Sequence, residues 1–393
     1  MVTSLPFSTI CPIGINEKNG EFLLKNVIVI FGGESCEHDV SVITGVMALN
    51  AVDKTLYNPI PVYIAKNGRW YTSDKMNDVS IFKSIEQKKL VEVTLLPPRR
   101  NLYSIKKNKL KEICEIYSVV NCCHGGEGES GGLYATFKNC SIPCTSAGLF
   151  ASSLAMDKEF TKLALKGIGV GCLSCVRINR DTFYLQREHV FKTIQEKLGF
   201  PIIIKPARLG SSIGISIAKT VDELEKGLMQ AFIYDSKVIV EKALVDFREI
   251  NCAAYKRAGE VIVSECEEPI LNNQMLTFND KYKLPVQKDF PAKIDEEMRE
   301  KIRKTTKAIY QKLNFSGVIR IDYFLIGNEV YVNEINAVPG SLAYYLFCKT
   351  TEEFCKFLTQ LIEQSVDENR VLSQNKTVFS SGILNLSSCK TKR

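Results

Sequence analysis

Histidine and tryptophan are scarce in this chain, with three and one respectively among 393 residues. A zinc centre built on histidine is therefore not expected. The single C-x-x-C, Cys172-Leu173-Ser174-Cys175, has no second copy to complete a zinc site. No apolar run approaches the roughly 20 residues a membrane helix needs. The stretch MVTSLPFSTICPIG has neither a basic start nor a continuous apolar segment, so a secretion signal is not expected. The expectation is a cytoplasmic protein, away from the membrane, whose 14 cysteines stay reduced. Two nucleotide signatures are also missing. GxxxxGK[ST] does not occur, which excludes a P-loop. After the first apolar run Gly32-Gly33 are adjacent, so the GxGxxG dinucleotide fingerprint is absent and an NAD-dependent oxidoreductase is disfavoured. Gly167-Ile168-Gly169-Val170-Gly171 has no helix after it and reads as a turn.

What is present is a soluble globular composition: 24% charged and 45% hydrophobic residues. The net charge of +7 is spread among interleaved acids. Lys106-Lys107-Asn108-Lys109 therefore reads as a solvated face, not a nucleic-acid patch, and an anionic small molecule suits the charge equally. The length accommodates two or three lobes.

Residues 1–25 lack periodicity and read as an extension. Val27-Ile28-Val29-Ile30-Phe31 is a buried-strand run, Gly32-Gly33-Glu34-Ser35 a turn, and Val40, Ile43, Val46-Met47 and Leu49 recur at helical spacing. That is the start of an α/β lobe over 26–146, with further strands at 60–64 and 116–120 and no clear assignment over 67–117. A second lobe, 147–241, carries a helix at 157–166, a strand at 201–205, and strands at 214–217 and 238–241 around a helix at 221–232. A third, 242–367, carries a long helix with Asp295 as N-cap, its apolar face set by Met298, Ile302, Ile309 and Leu313, and Gly317 beyond its end. A helix over 351–365 follows, then a polar tail, 368–393.

The chemistry concentrates in VIRIDYFLIGNEVYVNEINAVPGSLAYYLF, where polar residues interrupt two apolar runs. Residues two apart share a strand face. Val318, Arg320, Asp322 and Phe324 line one side of the first strand, and Val332, Glu334 and Asn336 share a face of the second. A hairpin turning at Gly327-Asn328 places Arg320 opposite Glu334 and Asp322 diagonal to it, within roughly 5 to 8 Å at Cβ. A buried Arg320–carboxylate pair would leave a second carboxylate and an amide without partners, which is costly. Asp322, Glu334 and Asn336 are instead the oxygen donors of a hard cation such as Mg²⁺, whose other ligands are waters and phosphates. IIIKPARLGSSIGIS supplies the complement. A buried strand delivers Lys205, and Gly210-Ser211-Ser212-Ile213-Gly214 forms a donor-rich loop able to close over a polyphosphate.

In order along the chain, SLAMDK, IIIKPARLGSSIG, VEKALVDFRE, FNDKY, RIDYF and NEINAVPG resemble the D-alanine–D-alanine ligases of the ATP-grasp superfamily. FGGESCEHDVS and HGGEGESGGL resemble that family's substrate-side motifs. The likeness runs over about 26–365. It implies an α/β, three-lobed ATP-grasp architecture with an N-terminal Rossmann-like lobe. It also implies ATP with two Mg²⁺ ions (or Mn²⁺ in their place), a D-alanyl phosphate, attack on it by a second D-alanine, and a dipeptide destined for peptidoglycan. A homodimer is the implied assembly.

By the same resemblance, Asp322, Glu334 and Asn336 hold metal. Lys158 and Lys205 meet the α- and β-phosphates and Lys281 the γ-phosphate. Glu241, Lys242 and Leu244 lie around adenine, Glu249 at the ribose, and Ser212 in the phosphate loop. Arg320 and the Gly340 N–H stabilise the oxyanion. Glu37 binds the first ammonium, and Ser211 and Tyr282 form a network with it. His124 lies by the first substrate. Tyr282 favours an amine over a hydroxyl nucleophile. The chain departs from the family at Leu342 and Tyr345, where a threonine and a carboxylate-binding serine are usual. It departs again at Ser130 and Tyr134, where an aspartate and a glutamine are. Tyr345 is the candidate to bind the second carboxylate. The alternatives are a family ligase with another acceptor, such as D-serine or D-lactate, and an inactive nucleotide-binding relative.

Overall fold

The computed structural model describes residues 24–85, 89–270 and 287–383, with the backbone alone of a short strand pair at 17–18 and 21–22. Strand β1 (Lys25–Gly32) is flanked by parallel partners β2 (Tyr57–Ile64) and β7 (Ser118–Asn121). Its continuous apolar run follows from burial on both faces. Val27, Val29 and Phe31 enter one core with α1 (His38–Ala51), while Ile28 and Ile30 enter another with Leu133 and Phe137 of α2 (Gly132–Asn139).

The segment that resisted assignment is the antiparallel half of this sheet. β3 (Trp70–Thr72), β4 (Val91–Leu95), β5 (Asn101–Lys106) and β6 (Lys109–Glu115) extend it outward from β2. β6 is exposed along nearly its whole length, so the alternation that marks a half-buried strand is missing there. Lys107 and Asn108 are the two left-handed residues of the β5–β6 turn, which places the basic cluster in solvent as expected.

Two four-stranded antiparallel sheets carry the other two lobes. One orders β8 (Cys175–Asn179), β11 (Lys237–Lys242), β9 (Ile202–Pro206) and β10 (Ser216–Ala218), backed by α7 (Val221–Tyr234). The other orders β13 (Glu260–Val263), β12 (Arg248–Arg257), β14 (Val318–Ile326) and β15 (Glu329–Asn336). Beneath it lies α8 (Glu296–Lys312), whose N-cap Asp295 accepts from the Met298 N–H at 2.8 Å. Met298, Ile302 and Ile309 are buried in the core it shares with that sheet, and Leu313 packs at its edge. Between the sheets run α3 (Leu149–Met156) and α4 (Lys158–Gly167), the latter capped by Asp157.

Four expectations are corrected. The buried face of α1 is Ser41, Val42, Gly45, Val46, Ala48 and Leu49, while Ile43 is exposed and Val40 lies at the margin. Small residues, not the largest apolar ones, let this helix approach β1. A Cβ at Gly45 would sit 2.2 Å from the Phe31 ring. The last helix, α9 (Thr351–Ser373), runs eight residues past the expected end, because its polar continuation contains no breaker. The tail beyond it exposes Val378 and Phe379, so it is not uniformly polar.

The last correction sets the site. Arg320 pairs with Asn336 and Asp322 with Glu334, not Arg320 with Glu334. Tyr323 then pairs with Val332, leaving Asn333 as the extra residue of a β-bulge. The bulge inverts the alternation. Val332 joins Ile335 in the apolar core, and Glu334 and Asn336 face away from it, so Val332 and Glu334 do not share a face.

Gly45→Ala is expected to lower stability by about 1–3 kcal/mol through overpacking against Phe31. A shifted urea midpoint at unchanged slope is the measurement that checks it.

Candidate active site

Arg320 and Asp322, two apart on β14, form a bidentate ion pair, Nε to Oδ1 at 2.7 Å and the terminal nitrogen to Oδ2 at 2.8 Å. Burial alone would weaken the guanidinium's hold on its proton. The Asp322 charge outweighs it and raises the pKa well above its ordinary value. Asn336 Nδ2 donates to Asp322 Oδ2 at 3.2 Å, and Glu334 lies 3.9 Å from the Lys158 ammonium. The ion pair therefore exists, and neither the Asn336 amide nor the Glu334 carboxylate is orphaned by it. Donor type is what favours a cation here. Among the described residues no three His, Cys, Asp or Glu side chains form a closed cage. Two carboxylates and an amide suit an ion that takes its other ligands from phosphate and water.

Two cavities meet at this wall, with Glu249, Asp322 and Glu334 lining both. The first, about 850 Å³ counting the space open to solvent, has an apolar end formed by Leu173, Ile203, Ile215, Ile217, Leu244 and Phe247. Its other end carries Lys158, Lys205 and Ser212. That division fits a base at one end and phosphates at the other. Lys205 Nζ donates to Glu241 at 2.7 Å, and Lys162 Nζ lies 2.6 Å from the other Glu241 oxygen, all three groups being buried. Burial pushes the Glu241 carboxyl up, but the charges and hydrogen bonds of the two lysines outweigh it and hold it at about 2. Lys158 donates to the Leu209 carbonyl of the glycine-serine loop at 2.6 Å. Burial lowers its pKa, the neighbouring Lys205 charge adds to that, and Glu334 opposes it.

The second cavity, about 1110 Å³, is polar and holds Glu37, His124, Glu129, Ser211, Arg320, Asn336, Gly340 and Tyr345. Glu37 is the N-cap residue of α1. The Ser211 hydroxyl donates to its carboxylate across 174 residues of sequence, so the glycine-serine loop reaches the first lobe. Ser211 and Ser212 both hold left-handed backbones, with φ of 54° and 58°. His124 is buried, and burial lowers its pKa to about 4, leaving a neutral ring. Burial and the Glu37 charge together raise Glu129 to about 7 against the pull of its backbone N–H bonds. Tyr345 accepts a hydrogen bond from Arg320 at 3.2 Å, and the Lys288 ammonium stands 4.3 Å above its ring.

Of the residues read from sequence, Lys281 and Tyr282 lie outside the described residues. Lys158, Lys205, Ser212, Glu241, Lys242, Leu244 and Glu249 all border the first cavity. Lys242 does so with its ammonium turned away onto the carbonyls of Gly199 and Phe200, at 3.3 and 2.8 Å. Leu342 is buried in the core of the first lobe and does not border the second cavity. Lys162, Glu129 and Lys288 were not anticipated. Lys162 had a signal, since it stands four residues after Lys158 on one helix face. Glu129 and Lys288 had none beyond their charge.

Two antiparallel sheets enclosing a nucleotide-sized cleft, with a carboxylate-bearing hairpin at its floor and a Rossmann-like lobe across it, define the ATP-grasp class. The family model described as the D-ala D-ala ligase N-terminus matches residues 26–147, and that of the D-ala D-ala ligase C-terminus matches 164–367. A relative named D-alanine–D-alanine ligase, from Thermosipho melanesiensis, is 35% identical over 352 residues, covering 88% of this chain and 94% of that protein. The crystal structure of the Helicobacter pylori D-alanine–D-alanine ligase superposes with a TM-score of 0.72 at 30% identity, over 87% of this chain and 98% of that one. The VanG D-Ala:D-Ser ligase from Enterococcus faecalis gives 0.71 at 27% identity, over 88% and 100%. This chain belongs to the D-alanine–D-alanine ligase family.

Glu241→Gln leaves two buried lysines facing each other, with an expected cost of about 3–5 kcal/mol. The folded carboxyl titrates below the roughly 4.3 of an unfolded glutamate, so its contribution is complete above that pH. It is lost as pH falls through about 2. Chemical denaturation of both proteins across pH 7 to 2 checks this: the gap holds down to about 4.3 and closes toward 2.

Proposed function

We propose that this protein is an ATP-dependent ligase that joins two D-alanines through a D-alanyl phosphate. The observation that carries the reading is the shared wall. Asp322 and Glu334 border both a cation-ended nucleotide cleft and a polar cavity headed by Glu37. Phosphate and carboxylate would meet there, which is the juxtaposition phosphoryl transfer requires.

Lys158 and Lys205 hold the phosphates at one end while the apolar shelf takes adenine. Asp322, Glu334 and Asn336 would hold Mg²⁺, which would supply positive charge against the phosphates. Glu37 receives the ammonium of the first D-alanine and sets its carboxylate toward the wall. Arg320 and the Gly340 N–H face the charge that develops as the acyl phosphate forms and as the second amine attacks it. Ser211, bonded to Glu37, keeps the loop shut over the reacting groups and excludes water. Tyr345 and Lys288 stand at the acceptor side and receive the second carboxylate. A tyrosine in a serine's place lengthens the reach to that carboxylate, so acceptors other than D-alanine belong in the test. A homodimer working in the cytoplasm is the setting this reading adopts, and light scattering checks the assembly.

Purified protein supplied with ATP, Mg²⁺ and D-alanine is expected to yield ADP and a dipeptide identified by mass. ADP formed only with D-serine or D-lactate as acceptor would reassign the second substrate, and none with any D-acid would defeat the reading. Glu334→Gln is expected to cut turnover at least about 100-fold with an unchanged melting temperature, since it removes a metal-binding charge where charge develops.

A further inference from the structure

The turn after β15 carries the Gly340 N–H, and its backbone is unusual. Ser341, Leu342 and Ala343 follow with φ of 53°, 52° and 48°, three successive non-glycine residues in the left-handed region. Such a conformation persists only where its surroundings impose it.

The surroundings come from the first lobe. Glu129 Oε1 accepts from the Val338 N–H at 3.1 Å, while its other oxygen accepts from the Gly125 N–H at 2.9 Å. His124 Nδ1–H donates to the Val338 carbonyl at 2.7 Å. Both backbone groups of one residue are thus gripped by side chains more than 200 positions away. Because a carbonyl only accepts, His124 Nε2 is left as an acceptor, and the Thr44 hydroxyl donates to it at 2.8 Å. Thr44 Oγ1 in turn accepts from the Ser341 N–H at 3.1 Å. The Leu342 N–H is taken by the Pro339 carbonyl at 2.8 Å, and proline has no N–H of its own. Gly340 is left as the amide of this turn with no acceptor among the described residues. It borders the second cavity.

We infer that Thr44, His124 and Glu129 are positioning residues, a side-chain relay from the first lobe that fixes the turn and aims the Gly340 N–H at the reacting carboxylate. This rests on the ligase reading above. Thr44 isolates the effect, because it is buried on α1, does not border the cavity and touches the chemistry only through His124 and Ser341. The neutral ring that burial imposes on His124 keeps the relay in one tautomer near pH 7.

The test compares Thr44→Val, which keeps the shape and loses the hydroxyl, with Thr44→Ser, which keeps the hydroxyl. Melting temperature, nucleotide binding, kcat, and KM for ATP and for D-alanine are measured on each. Thr44→Val is expected to lower kcat by about 10- to 100-fold, the scale set by displacing an aligned group, with KM for ATP within about two-fold. Thr44→Ser is expected to restore kcat to within about three-fold of the parent. A merely structural threonine would instead lower the melting temperature and leave kcat per nucleotide-binding site unchanged, which overturns the inference. Thr44→Ser as defective as Thr44→Val overturns it too. Should Thr44→Val fail to fold, Glu129→Gln takes its place: a fall in kcat at intact ATP binding supports the relay, and parental kcat overturns it. If the unmodified protein makes no ADP with any D-acid, the ligase reading fails and takes this inference with it. If the unmodified protein turns over and Thr44→Val matches it at equal stability, this inference alone falls.

Discussion

The register of one hairpin governs the site. Pairing Asp322 with Glu334 places two carboxylates at the junction of the two cavities, and the bulge at Asn333 is what permits that pairing. Without the extra residue, Val332 and Glu334 would occupy one face, and either a valine would leave the core or a carboxylate would enter it. The apolar core beneath, built from Ile319, Ile321, Tyr323, Val332 and Ile335 on α8, holds the bulge in place. The polar wall is the other side of the same packing.

Charge around that wall is balanced in pairs that differ in purpose. Glu241 sits between Lys205 and Lys162 in full burial, a triad that orders the floor of the nucleotide cleft and keeps Lys205 at its station. Lys158 and Glu334 stand further apart and nearer solvent, so their pairing is looser than that of the triad. Arg320 holds Asp322 and Tyr345 together, joining β14 to the turn after β15. Among the described residues the first lobe contributes no cation to this set. It contributes acceptors and donors that reach across, with Ser211 meeting Glu37 and Val338 meeting His124 and Glu129.

Much of this was legible in order along the chain. A run such as VIVIF declares a strand buried on both faces, and Asp295 followed by apolar residues at helical spacing declares α8 from its first turn. RIDYF and NEIN announced oxygen donors in strands because polar residues at period two in an apolar run have to serve a surface. The buried face of α1 is not legible from its large apolar side chains, because close helix–strand contact at Phe31 requires Gly45 and its small neighbours. β6 was missed because solvent surrounds it and burial leaves no imprint on its composition. The ion pair within β14 was undervalued for a different reason. Whether Asn336 and Glu334 are stranded depends on which side chains lie beside them, and those come from elsewhere in the chain.

By itself, then, the sequence determined most of the elements outside 67–117, which residues carry oxygen and charge, and the family whose motifs they compose. These properties follow from local periodicity and side-chain type. Tertiary structure alone decided the hairpin's register, the Lys162–Glu241–Lys205 arrangement and the grip on Val338, because each depends on contacts between segments far apart in the chain. One bulged residue changes every cross-strand neighbour beyond it, and no spacing along a single strand encodes that shift. A hydrogen bond between Glu129 and an amide 209 residues away exists only once two lobes have packed, so its geometry belongs to the folded molecule.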